Sequence, residues 1–351
     1  MAPFSPKKAL VALASLSIFS AEAGKLYPRQ QAFVPSPGNF PETGDDTIAG
    51  GIFCISLPDL SAYLLKTGNN AAAGGTETPR GAGEATSGSG PYPAHMTTDP
   101  SLPNHTIYAP IEKPNITMPF IAWGNGACMT DGSTYKNFLV EIASHGYVIS
   151  ADGPPGGSGA GQSQVSDMRA SLDWAFDGGA AAYGDIDLEK VATAGHSCGG
   201  LEAMSTAYHD PRVKRIILFN IAIFQDERRY LLEEIDVPVA WFVGGPNDMG
   251  HPNVSDYLYG CNKIYALTFS LQAEKDYALL PSTLGAYKAS LDTGHGGTYQ
   301  ATNGGKFGKA AVAYLQWQFR DDETSKAICL DPEAEGSLVS DNWDIEFRNW
   351  S

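Results

Sequence analysis

Positive charge, charged residues in general and long apolar runs are all scarce in this chain of 351 residues. It carries 23 Lys and Arg against 39 Asp and Glu, which gives a net charge of −16. Because a negative surface repels phosphate backbones, we expect no nucleic acid partner. Hydrophobic residues make up 43% of the chain and charged residues 18%, and this composition excludes a chain that is disordered throughout. Beyond the first residues no apolar run approaches the roughly 20 residues that cross a bilayer, so we expect no membrane span.

The N-terminus has the pattern of an export signal. The basic pair Lys7–Lys8 precedes the apolar run 9–19, and small residues flank position 22 as a cleavage site requires. This pattern predicts a secretory signal peptide over residues 1–23, since the run is too short for a membrane anchor. We therefore expect a secreted, extracellular protein, in which disulfides persist. Sequons at Asn104 and Asn115 fit a glycoprotein on this route, and such triplets also arise by chance.

One domain follows an N-terminal extension. Residues 24–104 are predicted to form the extension, with a flexible loop at 67–90 that is rich in Gly, Ala, Ser and Thr. Over residues 105–351, strand patterns alternate with helical patterns. This alternation predicts an α/β domain with a mostly parallel, doubly wound sheet flanked by helices, whose sites lie beyond the carboxyl ends of the strands. The tail 331–351 is predicted to pack back onto the surface. The predicted core strands are 117–123, 147–150, 191–194, 216–219, 237–243 and 286–291.

A G-x-S-x-G motif is the strongest chemical signal in the chain. Gly195, Ser197 and Gly199 stand between the predicted strand 191–194 and a predicted helix, which is the context of a nucleophile elbow. The turn pushes the serine hydroxyl clear of the sheet, and side chains two residues before and after it would collide, so glycine is needed there. His196 is predicted to point away from the nucleophile. The alternative is a glycine-rich turn with an incidental serine.

A nucleophilic serine needs a base, and the base needs an acid that orients it. His295 is the candidate general base, because it follows the last core strand in a glycine-containing loop. Asp248 is the candidate acid, because it comes directly after the strand 237–243; Asp226 is the runner-up. Asp248 is alternatively a turn or helix-capping residue. A metal site of Asp248 and His251 has too few ligands to carry weight.

Two backbone N–H groups are needed to bind the oxyanion of a tetrahedral intermediate. One candidate is the N–H of Cys198, the residue after the nucleophile. The other belongs to the glycine-containing loop after the first core strand, where Asn125 is the candidate and Gly126 the alternate. The alternative for this loop is a plain tight turn.

Three segments resemble one group of enzymes, in the same order along the chain. They are the segment 120–153, with the Asn-Gly pair at 125–126 and the run Glu-Ile-Ala-Ser-His-Gly-Tyr at 141–147, the elbow 195–200, and the histidine loop 294–298. They resemble secreted fungal α/β-hydrolases, which are related to dienelactone hydrolases, chlorophyllases, platelet-activating-factor acetylhydrolases and cutinase-like polyester hydrolases. The likeness covers about residues 91–350. It implies an α/β-hydrolase fold and a triad of Ser197, Asp248 and His295. The pattern around Ser197 and His295 departs from that of the polyester hydrolases, so polyester cleavage is not implied.

These signals together predict a secreted serine hydrolase that cleaves carboxylic esters through an acyl-enzyme intermediate. The mechanism requires neither a metal nor an organic cofactor. The expected substrate is a small-molecule, lipid or polymeric ester, and the sequence leaves the acyl group, the alcohol and the oligomeric state open. Two alternatives remain: an acyltransferase with the same triad, and a non-catalytic binding protein on a hydrolase fold.

The chain has five cysteines. Cys198 follows the nucleophile and Cys128 ends the oxyanion loop, so the fold brings the two near each other and predicts a disulfide between them. Two buried, reduced thiols are the alternative. If Cys261 is an artefact, as considered next, Cys54 and Cys329 become the natural second pair.

The segment 254–272 is a suspected insertion. The residues before and after it join smoothly without it. Val254-Ser255 can be encoded by a splice-donor sequence, and 266–272 can encode a branch site, a pyrimidine tract and a terminal CAG. We therefore hypothesise a retained intron, read in frame. A genuine lid insertion is the alternative.

Overall fold

The structure is a computed structural model. It describes residues 83–159, 161–223, 228–248, 250 and 272–350. The predicted signal peptide 1–23, the sequence up to residue 82, and residues 254–271 of the suspected insertion lie outside the described residues.

Nine strands form a single sheet in the described part of the chain. Its spatial order is β1-β2-β4-β3-β5-β6-β7-β8-β9. The six strands from β4 to β8 in this order pair in parallel, and β1, β2 and β9 pair antiparallel at the two edges. The strands are β1 (Ala94–Thr97), β2 (His105–Pro110), β3 (Thr117–Gly124), β4 (Val148–Asp152), β5 (Asp185–His196), β6 (Arg215–Phe219), β7 (Val239–Val243), β8 (Ala286–Ser290) and β9 (Asp344–Arg348).

Helices cover both faces of the sheet, as expected for a doubly wound architecture. The helices are α1 (Lys136–Ser144), α2 (Val165–Phe176), α3 (Cys198–Ala207), α4 (Tyr230–Glu233), α5 (Gln272–Leu279), α6 (Gly305–Arg320) and α7 (Glu323–Leu330). Apolar side chains of α2, α3, α4 and α5 pack in one core and those of α1, α6 and α7 in another. The strands divide between the two cores by alternation: Phe120 belongs to the first and Ile121 to the second. No described helix is long and apolar enough to cross a membrane.

The six predicted core strands are all present, and the edge strands are additions. Strand β1 pairs with β2, so the sheet includes residues that were predicted to belong to the extension 24–104. Strand β9 comes from the predicted tail and pairs with β8. Strands β1 and β9 are short and partly exposed, and β2, although buried, contains His, Thr and Tyr, so all three lack the apolar runs that mark the buried parallel strands. The end of the predicted loop 67–90 is attached to α1, because Ser89 donates two hydrogen bonds to the Glu141 carboxylate, at 2.7 and 2.5 Å.

A hydrogen bond joins Gly250, four positions before the suspected insertion, to Ala273, which directly follows it. The backbone N–H of Ala273 donates to the carbonyl of Gly250 at 3.2 Å. If residues 254–272 were removed, Ala273 would follow Gly250 by four positions, which is the spacing of an α-helical hydrogen bond. The contact between Gly250 and Ala273 therefore fits a chain that continues directly into α5 without the segment.

Candidate active site

Ser197 lies in the turn between β5 and α3, as the elbow motif predicts. Its φ is 54° and its ψ is −123°, a conformation that is strained for a residue with a side chain. A Cβ on Gly195 would lie 2.3 Å from the backbone of Gly199, and a Cβ on Gly199 would lie 2.0 Å from that of Gly124. The two motif glycines are therefore required by the close contact between the strand β5, the helix α3 and the end of β3.

The three residues predicted to form a triad lie in hydrogen-bond contact. The Oγ of Ser197 is 2.9 Å from the Nε2 of His295. The Nδ1 of His295 is 2.8 Å from an oxygen of Asp248. Because a carboxylate only accepts, His295 donates from Nδ1, and its Nε2 is left to accept the serine proton. Asp248 is fully buried and His295 is 6% exposed, so water does not compete for the bond between them.

The Asp248 carboxylate is held by three donors. Besides His295, the N–H of Gly244 donates to its second oxygen at 2.6 Å, and the side-chain amide of Asn220 donates at 2.8 Å. Burial opposes the charge, but the hydrogen bond and the charge of His295, with the bonds from Gly244 and Asn220, outweigh it and lower the pKa of Asp248. Asp248 is therefore an anion at neutral pH, as the orienting role requires.

Asn220 is a supporting residue that the sequence-based prediction did not include. It follows β6, has a positive φ of 54°, and is fully buried. Its side-chain oxygen accepts from the hydroxyl of Tyr299, so its amide N–H₂ faces Asp248 and the carbonyl of Gly294. An asparagine directly after a core strand, at the edge where Ser197 and Asp248 lie, was the available signal.

The predicted oxyanion donors lie beside the elbow. Asn125 cannot contribute its side chain, because the amide donates to the carbonyls of Met129 and Asp152, at 2.9 and 2.6 Å. Within the described residues, the backbone N–H groups of Asn125 and Cys198 have no acceptor. The N–H of the alternate, Gly126, donates to the Tyr135 hydroxyl at 3.2 Å. The backbone of Asn125 is therefore better placed to donate to a ligand than that of Gly126.

The predicted disulfide between Cys128 and Cys198 is present. The two Cα atoms are 5.2 Å apart, and 70 positions separate the residues in sequence. The carbonyl of Asn125 also accepts from the N–H of Gly199 at 3.0 Å. The loop that follows β3 is thus attached to the first turn of α3 by one covalent bond and one hydrogen bond.

The other candidates are less informative. Asp226, His251, Cys54 and Cys261 lie outside the described residues, and Cys329 is buried without a disulfide partner among the described ones. No three His, Cys, Asp or Glu side chains in the described part are grouped to hold a metal ion.

Comparisons with known proteins add no assignment. No protein family model matches the chain. No curated protein shows significant similarity to it either. Any functional conclusion therefore depends on the residues and their geometry.

Proposed function

We propose that the protein is a secreted serine hydrolase that cleaves carboxylic esters. The observation that carries the proposal is the continuous hydrogen-bond chain from Ser197 through His295 to Asp248, with steps of 2.9 and 2.8 Å. The chain order serine, acid, histidine is the order found in α/β-hydrolases, and it supports the proposal together with the mostly parallel sheet. The disulfide supports an oxidising compartment.

The proposed reaction has two halves. Ser197 attacks the ester carbonyl while its proton moves to Nε2 of His295, and the developing oxyanion is bound by the N–H groups of Asn125 and Cys198. His295 then gives the proton to the leaving alcohol, which leaves an acyl group on Ser197. Water, deprotonated by His295, attacks this acyl-enzyme; as the bond from the Ser197 oxygen to the acyl carbon breaks, His295 returns the proton to that oxygen and the acid is released. Asp248 keeps the ring in one tautomer and balances its positive charge in both halves.

The dipole of helix α3 supports the same assignment. Ser197 immediately precedes α3, so the proposed reaction takes place at the N-terminus of that helix, where the N–H of Cys198 is the proposed donor. A helix N-terminus carries a partial positive charge, which stabilises a nearby oxyanion.

The test is hydrolysis of p-nitrophenyl esters of graded chain length by the wild type and by Ser197→Ala. We expect the variant to lose on the order of 10³-fold or more in turnover. Ser282→Ala, at an exposed serine far along the chain, is the matched control and is expected to retain full activity. Product analysis with added alcohols separates hydrolysis from acyl transfer. A Ser197→Ala rate equal to that of the wild type would overturn the proposal.

A further inference from the structure

The ring of His196 is buried between the two loops that surround Ser197. It is 7% exposed and packs beside the rings of His295, Tyr299 and Tyr135, at centroid distances of 4.9, 5.1 and 5.3 Å. The sequence predicts that this histidine points away from the nucleophile, and the hydroxyl of Ser197 is hydrogen-bonded to His295 and not to His196. Both ring nitrogens are nevertheless hydrogen-bonded to parts of the candidate active site.

The hydrogen bonds of His196 have one consistent direction. Its Nε2 is 2.8 Å from the backbone carbonyl of His295, and a carbonyl only accepts, so Nε2 carries the proton. Its Nδ1 is 2.7 Å from the Tyr135 hydroxyl and must accept from it. The same hydroxyl accepts from the N–H of Gly126. The result is a continuous chain from the loop after β3, through Tyr135 and His196, to the backbone of the general base.

We propose that His196 and Tyr135 are positioning residues, which hold the loop of His295 and the loop of Asn125 and Gly126 at a fixed distance around Ser197. The proposal rests on the proposed function. Its basis is that the Tyr135 hydroxyl accepts from the N–H of Gly126 in one loop, while the His196 ring donates to the carbonyl of His295 in the other. The bond to Tyr135 also occupies the N–H of Gly126, which favours Asn125 over Gly126 as the donor from this loop.

The protonation states of both residues suit this role. Burial, followed by the nearby charge of His295, lowers the pKa of His196 to about 3, and burial raises the pKa of Tyr135. His196 is therefore neutral at the pH of the reaction and keeps an acceptor at Nδ1. A neutral ring also adds no second positive charge beside His295 when that residue takes the serine proton.

The test compares His196→Phe with His196→Gln. Phenylalanine keeps an aromatic ring in the cluster but removes both polar atoms, whereas glutamine keeps one donor and one acceptor. We expect His196→Phe to lower kcat by about tenfold or more while KM changes less than about threefold, because small displacements of reacting groups slow the chemical step. We expect His196→Gln to recover most of that loss. Rates are expressed per active site, titrated with a fluorophosphonate.

Normalisation to titrated sites separates positioning from folding. A purely structural role would lower the midpoint of thermal unfolding and the number of active sites but leave kcat per site unchanged. Tyr135→Phe, which removes a single oxygen, is the second variant if His196→Phe does not fold, and we expect a loss of kcat per site in the same direction. In the double variant, the losses are expected to be less than additive, because both residues belong to one chain of bonds.

Two results would overturn the proposal: a kcat per site for both His196→Phe and Tyr135→Phe within twofold of wild type, or a loss for His196→Gln equal to that for His196→Phe. These results are distinguishable from failure of the proposed function. If the proposed function were wrong, Ser197→Ala would have the same rate as the wild type. If the wild-type rate depends on Ser197 and the His196 variants retain it, the positioning role alone is wrong.

Discussion

Removal of the Cys128–Cys198 disulfide is expected to destabilise the protein strongly. The bond closes a loop across a sequence separation of 70 residues. For a loop of that length the chain-entropy model gives about 4 kcal/mol at 25 °C, because the cross-link restricts the unfolded chain. In a domain of this size, that loss corresponds to a fall in Tm of roughly 10 °C. The assay is thermal unfolding of the double variant Cys128→Ala/Cys198→Ala, with the absence of the bond verified by mass mapping.

Reduction of the wild type supplies the control for this prediction. Dithiothreitol is expected to lower the Tm of the wild type toward that of the double variant and to leave the variant almost unchanged. The disulfide also connects the loop and the helix end that carry the proposed oxyanion donors. We therefore expect the double variant to have a lower kcat than the wild type even at temperatures below its unfolding transition. The loss should be smaller than the roughly 10²-fold to 10³-fold loss caused by deleting one such donor. A variant that melts within about 2 °C of the wild type would refute the reasoning.

Three further predictions follow from buried charges and from the suspected insertion. Asp248→Asn is expected to lower kcat by on the order of 10⁴-fold, measured with p-nitrophenyl esters, because the amide no longer selects the productive histidine tautomer; a loss under tenfold would contradict this. Burial, followed by the charge of Asp152, raises the pKa of Glu202 in the folded protein. The folded state therefore loses stability as the pH rises above the pKa that Glu202 has in the unfolded chain. Glu202→Gln is therefore expected to match the wild type in urea unfolding at pH 4 and to exceed it at pH 8, and equal values at pH 8 would contradict the assignment. Deletion of 254–272 is expected to give a folded, active protein, because Gly250 and Ala273 are already hydrogen-bonded; loss of the cooperative thermal transition would count against the insertion hypothesis.

The residues closest to the proposed chemistry could be predicted from the sequence because each has a local signal. Ser197 stands in a glycine motif between a strand and a helix, Asp248 follows the apolar run 237–243, and His295 lies in a loop with three glycines after the strand 286–291. Parallel strands bring such positions to one edge of the sheet, so chain order was enough to predict their proximity.

The supporting residues had weaker signals or none. Tyr135 and Tyr299 are aromatic residues in a chain with 16 tyrosines, and their roles depend on which polar atoms their hydroxyls meet across the fold. Those partners are 61 and 79 positions away, so no local pattern specifies them. The edge strand β1 escaped prediction for a related reason: its pairing partner, and not its own composition, makes it a strand.

Covalent labelling of Ser197 tests the central claim most directly. The measurement is the intact mass of the wild type after treatment with a fluorophosphonate, followed by peptide mapping, with His295→Ala treated in parallel. We predict stoichiometric addition of one phosphonyl group on Ser197 in the wild type and at least about 10³-fold slower addition in His295→Ala, because the imidazole must remove the serine proton. An unlabelled wild type, or a label on any other residue, would contradict the account.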